Sequence, residues 1–202
     1  MNLSGKRSAV VAVAICLLTC GAASAQDLKS IKQITIDAEI PQPEIPLIQS
    51  PGGFKAFMIA GGIGAAVDQQ EAGKLFREYM RKNNIDVSKI VLESFRRAIQ
   101  EDKIFVLADN SDTRLKLVIN NYGFGASGFF GGPERKPLMN ITASLVSGGN
   151  VIWKKTEFLT NLSSLTQAYT YDQLGQTPEL TVKSLQQIAD LVSRQILAEF
   201  KQ

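Results

Sequence analysis

The chain has 202 residues, of which 22 are Lys or Arg, 19 are Asp or Glu and none is histidine. Both cysteines, Cys16 and Cys20, lie in an apolar N-terminal stretch with the pattern of a cleaved signal peptide. We therefore expect a mature chain with neither thiol nor imidazole. This excludes Ser-His-Asp triads, thiol catalysis and most zinc sites. The composition predicts a protein that is not an enzyme and that uses no cofactor and no metal.

The N-terminus has the three parts of a secretory signal peptide. Lys6 and Arg7 precede an uncharged apolar run over residues 9–18, and residues 23–25 (Ala-Ser-Ala) form a small-residue cleavage site. The apolar run is too short to cross a bilayer, because a spanning helix needs about 20 apolar residues. We expect residues 1–25 to be removed on export to the bacterial periplasm.

An alternative interpretation is a lipoprotein cut before Cys20, where residues 17–20 (Leu-Leu-Thr-Cys) resemble a lipobox. Thr19 is larger than the residue that normally precedes a lipidated cysteine. Lipidation would attach the chain to the outer membrane. A third explanation is that Cys16 and Cys20 only fill the apolar part of the signal peptide.

Removal of residues 1–25 leaves 177 residues with 20 basic and 19 acidic side chains, a net charge of +1. A nearly neutral chain has no electrostatic basis for binding nucleic acid. The length suits one domain with a substantial core, and the absence of a disulfide means that the core alone holds the fold.

Alternation of apolar and polar residues predicts a first strand over residues 31–39. Prolines at positions 41, 43, 46 and 51 predict an extended connector, because proline disfavours helix and sheet interior alike. Residues 26–53 thus form a strand and a connector, and residues 54–202 form the single α+β domain, whose sheet the first strand joins.

Residues 54–67 are apolar and small, with Gly61, Gly62 and Gly64 at the centre. A nucleotide-binding turn lacks its acidic partner, and the phosphate-loop spacing is also missing. The segment is either a small-residue surface for close helix packing or membrane contact, or a tightly packed part of the core.

Three helices are predicted. The first covers residues 65–83, the second follows a capping Asp86, and the third begins at Thr177 and Pro178 and runs to about Lys201. Strands are predicted over residues 103–108, 113–122, 138–147 and 150–159, and Gly148-Gly149 marks a hairpin between the last two. The fold class is α+β, with a mostly antiparallel sheet of about five strands and helices packed on one face.

Residues 121–137 carry several aromatic side chains among five glycines. One interpretation is a mobile aromatic loop that contacts a protein partner or a lipid surface. The other is that Tyr122 and Phe124 extend the strand and the remainder is a hairpin tip. The candidate partner-binding residues are Tyr122, Phe124, Phe129, Phe130, Arg135 and Lys136.

Three carboxylate pairs lie close together in sequence and are the candidates for a carboxylate-based hydrolase: Asp68 with Glu71, Glu101 with Asp102, and Asp109 with Asp112. Helix-end or turn polarity explains each pair without catalysis. Asp109, Asn110 and Asp112 also fall short of a calcium loop, because the D-x-D-x-D-G pattern is missing.

The FRRAIQ segment at 95–100, the strand ending at Asp109 and LVSGGNVIW at 145–153 resemble a group of periplasmic proteins. The group comprises the N-terminal domain of TolB, the curli secretion protein CsgG and auxiliary lipoproteins of envelope transport systems. The resemblance implies a non-catalytic accessory role in which the chain binds an envelope protein. The alternative function is a carrier of a lipid or other apolar ligand.

Overall fold

The computed structural model describes residues 28–49, 69–127 and 132–201. The signal peptide, the apolar segment 54–67 and the loop residues Phe129 and Phe130 lie outside these ranges. The strands of the described residues are β1 (Gln33–Ile36), β2 (Leu47–Ile48), β3 (Val106–Leu107), β4 (Thr113–Ala126), β5 (Glu134–Ser147), β6 (Asn150–Leu159) and β7 (Tyr169–Thr170). The helices of the same ranges are α1 (Gln69–Lys82), α2 (Val87–Glu101), α3 (Tyr171–Gln176) and α4 (Pro178–Leu197).

The predicted α+β class is confirmed, but the predicted sheet is wrong in two respects. It is mixed, and it has seven strands within the described residues, in the order β3-β1-β4-β5-β6 with β2 beside β4 and β7 beside β5. β1 is parallel to both β3 and β4, and β2 is parallel to β4. Parallel pairing requires a long crossover between the strands. Here α1 and α2 lie between β2 and β3 and provide that crossover, so β3 and β4 run in the same direction as β1 and β2.

The three longest strands, β4, β5 and β6, form two consecutive hairpins. β4 and β5 are antiparallel over their full lengths, and β5 pairs in the same way with β6. Gly148 and Gly149 connect β5 to β6 with φ values of 56° and 83°, a left-handed conformation that glycine adopts without strain. The hairpin predicted from these glycines is confirmed. β3 and β4, in contrast, do not pair with each other although they are consecutive, because β3 pairs with β1.

The helices pack on one face of the sheet. Asp86 caps α2 by accepting a hydrogen bond from the backbone nitrogen of Lys89 at 3.1 Å. An ion pair of 2.6 Å between Arg97 and Asp190 links α2 to α4. The apolar sides of the helices and the inward residues of β4 and β5 share one buried cluster, which includes Phe95, Leu117, Ile141, Ile188 and Val192.

Candidate functional site

β6 forms one edge of the sheet. Its ten residues pair with β5 on one side, and no strand of the described ranges pairs with the other side. An edge strand presents unpaired backbone N–H and C=O groups, which are a template for pairing with another chain. The structure confirms the predicted bounds of this strand, 150–159, and adds its position at the edge.

Exposed apolar side chains are concentrated along this edge. Val151 is 61 % exposed and Phe158 is 46 % exposed, and Leu162 and Leu165 are exposed in the loop that follows β6. These four are most of the large apolar side chains that are exposed in the described ranges, the others being Val106 and Val118. We call β6 with Leu162 and Leu165 the β6 edge. Apolar surface next to an open strand is typical of a protein interface.

Helix α4 and the 3₁₀ turn that follows it hold the inward side of β6. The indole Nε1 of Trp153 donates to the Glu199 carboxylate at 3.0 Å, and Lys155 Nζ forms an ion pair with the same carboxylate at 3.0 Å. Lys155 also donates to the carbonyl of Gln195 at 3.0 Å. The hydrogen bond from Trp153, followed by that from Lys155, lowers the pKa of Glu199. These contacts fix Trp153 and Lys155 inward, so that Lys154, between them, faces solvent.

The solvent face of β4, β5 and β6 consists of rows of paired residues. Lys116 pairs with Ser144, which pairs with Lys154. In the next row Thr142 lies between Val118 and Thr156, and its hydroxyl is 2.8 Å from that of Thr156. Phe158 follows in the next row, opposite Asn140. Along β6 the solvent face is therefore polar at Lys154 and Thr156 and apolar at the two ends, Val151 and Phe158.

The four predicted partner-binding residues that the structure describes lie near the turn between β4 and β5. Tyr122 and Phe124 are buried in β4, and Phe124 meets Phe76 of α1 edge-on at 5.6 Å. Arg135 is buried in β5, and Lys136 donates to the Ser163 carbonyl at 2.9 Å.

The structure therefore brings Tyr122, Phe124, Arg135 and Lys136 together, but it packs them rather than exposing them as a surface. Tyr122 and Phe124 extend the strand, as the alternative interpretation held. A binding role for the six residues stays a prediction. The sequence contained no signal for the β6 edge as a site, because exposure depends on which strand lies at the edge.

A groove with both apolar and charged lining residues lies beside the 3₁₀ turn that follows α4. Its volume is about 1280 Å³, and its apolar lining includes Leu28, Ile31, Ile104, Phe105 and Phe200. The ring centroids of Phe105 and Phe200 are 5.1 Å apart. Asp102 and Lys201 also line the groove and form an ion pair of 2.7 Å.

Of the three carboxylate pairs, the structure gives Glu101 and Asp102 ion-pair partners. Glu101 pairs with Arg194, and Asp102 pairs with Lys201. Asp68 lies outside the described ranges. Within those ranges, no group of His, Cys, Asp and Glu is arranged to hold a metal ion, and no helix is long and apolar enough to cross a membrane.

No protein-family model and no curated protein matches the sequence. Solved structures with a similar course of the chain include a DUF330 protein from Xanthomonas campestris, at 12% identity and TM-score 0.44, covering 84% of this chain and 86% of that one. A minor lipoprotein from Acinetobacter baumannii has 14% identity and TM-score 0.40, with coverages of 83% and 92%. The PelC dodecamer from Paraburkholderia phytofirmans has 13% identity and TM-score 0.35, with coverages of 84% and 87%. None of these three is TolB or CsgG, and likeness at this level carries no argument about the function of this chain.

Proposed function

We propose that this chain is a non-enzymatic periplasmic accessory protein that binds a protein partner along the β6 edge. The observation that supports the proposal is an open ten-residue strand with exposed apolar side chains at both ends, Val151 and Phe158. Soluble proteins usually protect a long apolar edge, because it pairs with other chains. The signal-peptide pattern of residues 1–25 supports the periplasmic location.

Strand addition suits this edge better than docking of a helix or a small molecule. The added strand obtains its affinity from backbone hydrogen bonds and its specificity from side chains on alternate positions. β6 is held from the inside by Trp153 and Lys155, so that its backbone is already extended before the partner arrives. A preformed strand loses little conformational entropy on binding.

The test is affinity capture from detergent-solubilised envelope with three forms of the full chain. The first is the wild type, and the second carries both Val151→Asp and Phe158→Asp. The third carries Val118→Asp, a matched control on the same face but two strands inward from the edge. We expect a stoichiometric partner with the wild type and the control and its loss with the edge variant. Equal capture by all three forms, or no stoichiometric partner, contradicts the proposal.

A second candidate function, a carrier of an apolar ligand, is favoured by the groove beside Phe105 and Phe200. Its volume of about 1280 Å³ is large enough for a lipid chain. Native mass spectrometry of protein purified from the envelope tests it, with Val106→Asp as the variant, because this groove residue is exposed and not part of the core. A bound mass that disappears in the variant supports the carrier function. The bare mass of the wild-type chain counts against it.

A further inference from the structure

We propose that the partner segment that pairs with β6 is an acidic extended strand, an inference that rests on the proposed function. The occupant is a segment of another protein with a carboxylate opposite Lys154 and apolar side chains opposite Phe158 and Val151. The argument depends on the charges of the solvent face and on the pairing register of the edge.

The charged side chains of the solvent face near β6 are positive. Lys154 and Lys116 are exposed and share one row, about 10 Å apart across two strand spacings. Within the described ranges, neither ammonium group forms an ion pair. Arg114 adds a third cation on this face and is paired with Asp37 at 2.7 Å. Glu157, the acidic residue of β6, alternates with Lys154 and so belongs to the opposite side of the strand.

The side chains of β6 define what a neighbouring strand must present. An added strand lies about 4.8 Å from β6, with its side chains opposite those of β6 and on the same face. Phe158, Thr156 and Lys154 follow one another at every second position. A matching segment therefore has an apolar residue, a small hydroxyl residue and a carboxylate at alternate positions. The register shift beside Ile152 then sets the spacing to Val151.

Charge disfavours a second copy of this chain as the occupant. Two β6 strands related by a two-fold axis at Lys154, next to the middle of the strand, would place Lys154 opposite its own copy. Like charges directly opposite one another destabilise a strand pair. An acidic strand instead forms an ion pair at the same position. A lysine on an edge strand also prevents unwanted pairing with other strands. The test must therefore show whether Lys154 only blocks self-association or also binds an acidic partner strand.

The test uses the full chain and two fluorescent synthetic peptides that share one alternating Val and Thr pattern. One peptide carries Glu at the position opposite Lys154, and the other carries Lys there. Fluorescence anisotropy measures binding of both peptides to the wild type, to Lys154→Glu and to Lys89→Glu. Lys89 is an exposed lysine in the first turn of α2, and its variant changes the net charge equally.

We expect the wild type to bind the Glu peptide, Lys154→Glu to weaken that binding by about tenfold, and Lys89→Glu to leave it unchanged. Lys154→Glu should gain affinity for the Lys peptide. Absence of binding of the Glu peptide, equal binding of both peptides, or equal weakening by both variants overturns the inference.

The envelope capture experiment distinguishes this inference from the proposed function. If Val151→Asp with Phe158→Asp abolishes capture while Lys154→Glu leaves it intact, the β6 edge binds a protein that is not selected by charge. If sedimentation shows a wild-type dimer that Phe158→Asp dissociates, the occupant is a second copy of the chain and the acidic partner is wrong.

Discussion

The guanidinium carbon of Arg135 lies 4.7 Å from the centroid of the Tyr171 ring. Nη1 of Arg135 donates to the carbonyl groups of Gly132, at 2.5 Å, and Glu134, at 2.9 Å. The Tyr171 hydroxyl donates to the Gln49 carbonyl at 3.3 Å. Arg135 lies at the start of β5 and contacts Tyr171, the first residue of α3. Through the Tyr171 hydroxyl this contact extends to Gln49, directly after β2, so that three parts of the chain meet here.

Replacement of Arg135 by methionine should destabilise the protein by about 2 to 3 kcal/mol, because a buried cation–π contact and hydrogen bonds from a charged donor are lost. Urea unfolding followed by circular dichroism measures the change. Lys154→Met, which removes an exposed cation, is the control and should change stability by less than about 0.5 kcal/mol. Equal stability of Arg135→Met and the wild type would show that the contact contributes nothing.

Glu199→Gln should lower the thermal midpoint at neutral pH but not in acid. Hydrogen bonds from Trp153 and Lys155 lower the pKa of Glu199 below its ordinary value of 4.5. A carboxylate with a lowered folded-state pKa stabilises the fold above its unfolded-state pKa, and this contribution is lost as the pH falls through the folded-state pKa. The midpoints of variant and wild type should therefore converge as the pH falls below 4.5.

Trp153 is the single tryptophan of the chain, so its fluorescence should change over the same acid range in the wild type and stay constant in Glu199→Gln. Glu93→Gln, at an exposed position of α2, serves as the control. A difference between Glu199→Gln and wild type that persists unchanged into acid contradicts the assignment.

Elements with local signals could be predicted from the sequence. Asp86 capped α2 as expected, α4 begins at Pro178 directly after Thr177, and Gly148-Gly149 gave β6 its correct start. Each signal is complete within a few residues of the chain. The exact lengths of β4 and β5 were underestimated, because their far halves are rich in glycine or proline and lose the alternation of a half-buried strand.

Long-range pairing could not be predicted. β2 and β7 have two residues each, too few for a periodic pattern. β3 lies within the predicted strand 103–108, but its partner β1 lies far away in sequence. The same limit hid the site, since β6 was recognisable as a strand but its place at the edge depends on strand order. Tyr122 and Phe124 were misleading for a related reason. Glycines beside aromatic residues suggest a loop, whereas here they let other segments approach closely.

Tyr122→Phe should make the protein more resistant to alkali. Burial raises the pKa of Tyr122 from 10.0 to about 12. A group with a raised folded-state pKa contributes fully to stability below its unfolded-state pKa, and the contribution is lost as the pH rises through the folded-state pKa. The stability of the wild type should thus decrease between about pH 10 and pH 12, and the variant should lose less.

Urea unfolding at several alkaline pH values measures this difference, and tyrosinate absorbance follows the ionisation itself. At neutral pH the variant and the wild type should be nearly equal, because the change removes only a hydroxyl. An alkaline loss that is identical in the two proteins would assign the effect to other groups, of which the buried Tyr171 is the first to test, since its pKa is also raised to about 12.

Gly123→Ala should disrupt the pairing of β2 with β4. Gly123 has a φ of 151°, and a Cβ at this position would lie 1.8 Å from the carbonyl oxygen of Leu47. That oxygen belongs to the backbone of β2, which pairs with β4 through Leu47 with Gly123 and Ile48 with Phe124. Backbone cannot move aside as a flexible side chain does. We therefore expect a loss of about 3 kcal/mol or more.

Gly132→Ala is the matched control for this variant. Gly132 also has a positive φ, 134°, but a Cβ there meets no atom of the described residues within 4 Å. The control therefore carries backbone strain of about 1 to 3 kcal/mol without the overlap. Hydrogen exchange read by mass spectrometry should show faster exchange at residues 47–49 in Gly123→Ala only. If both variants show the same hydrogen exchange and lose equal stability, backbone strain alone accounts for the need for glycine at position 123. The close approach of β2 to β4 would then not be the reason for glycine there.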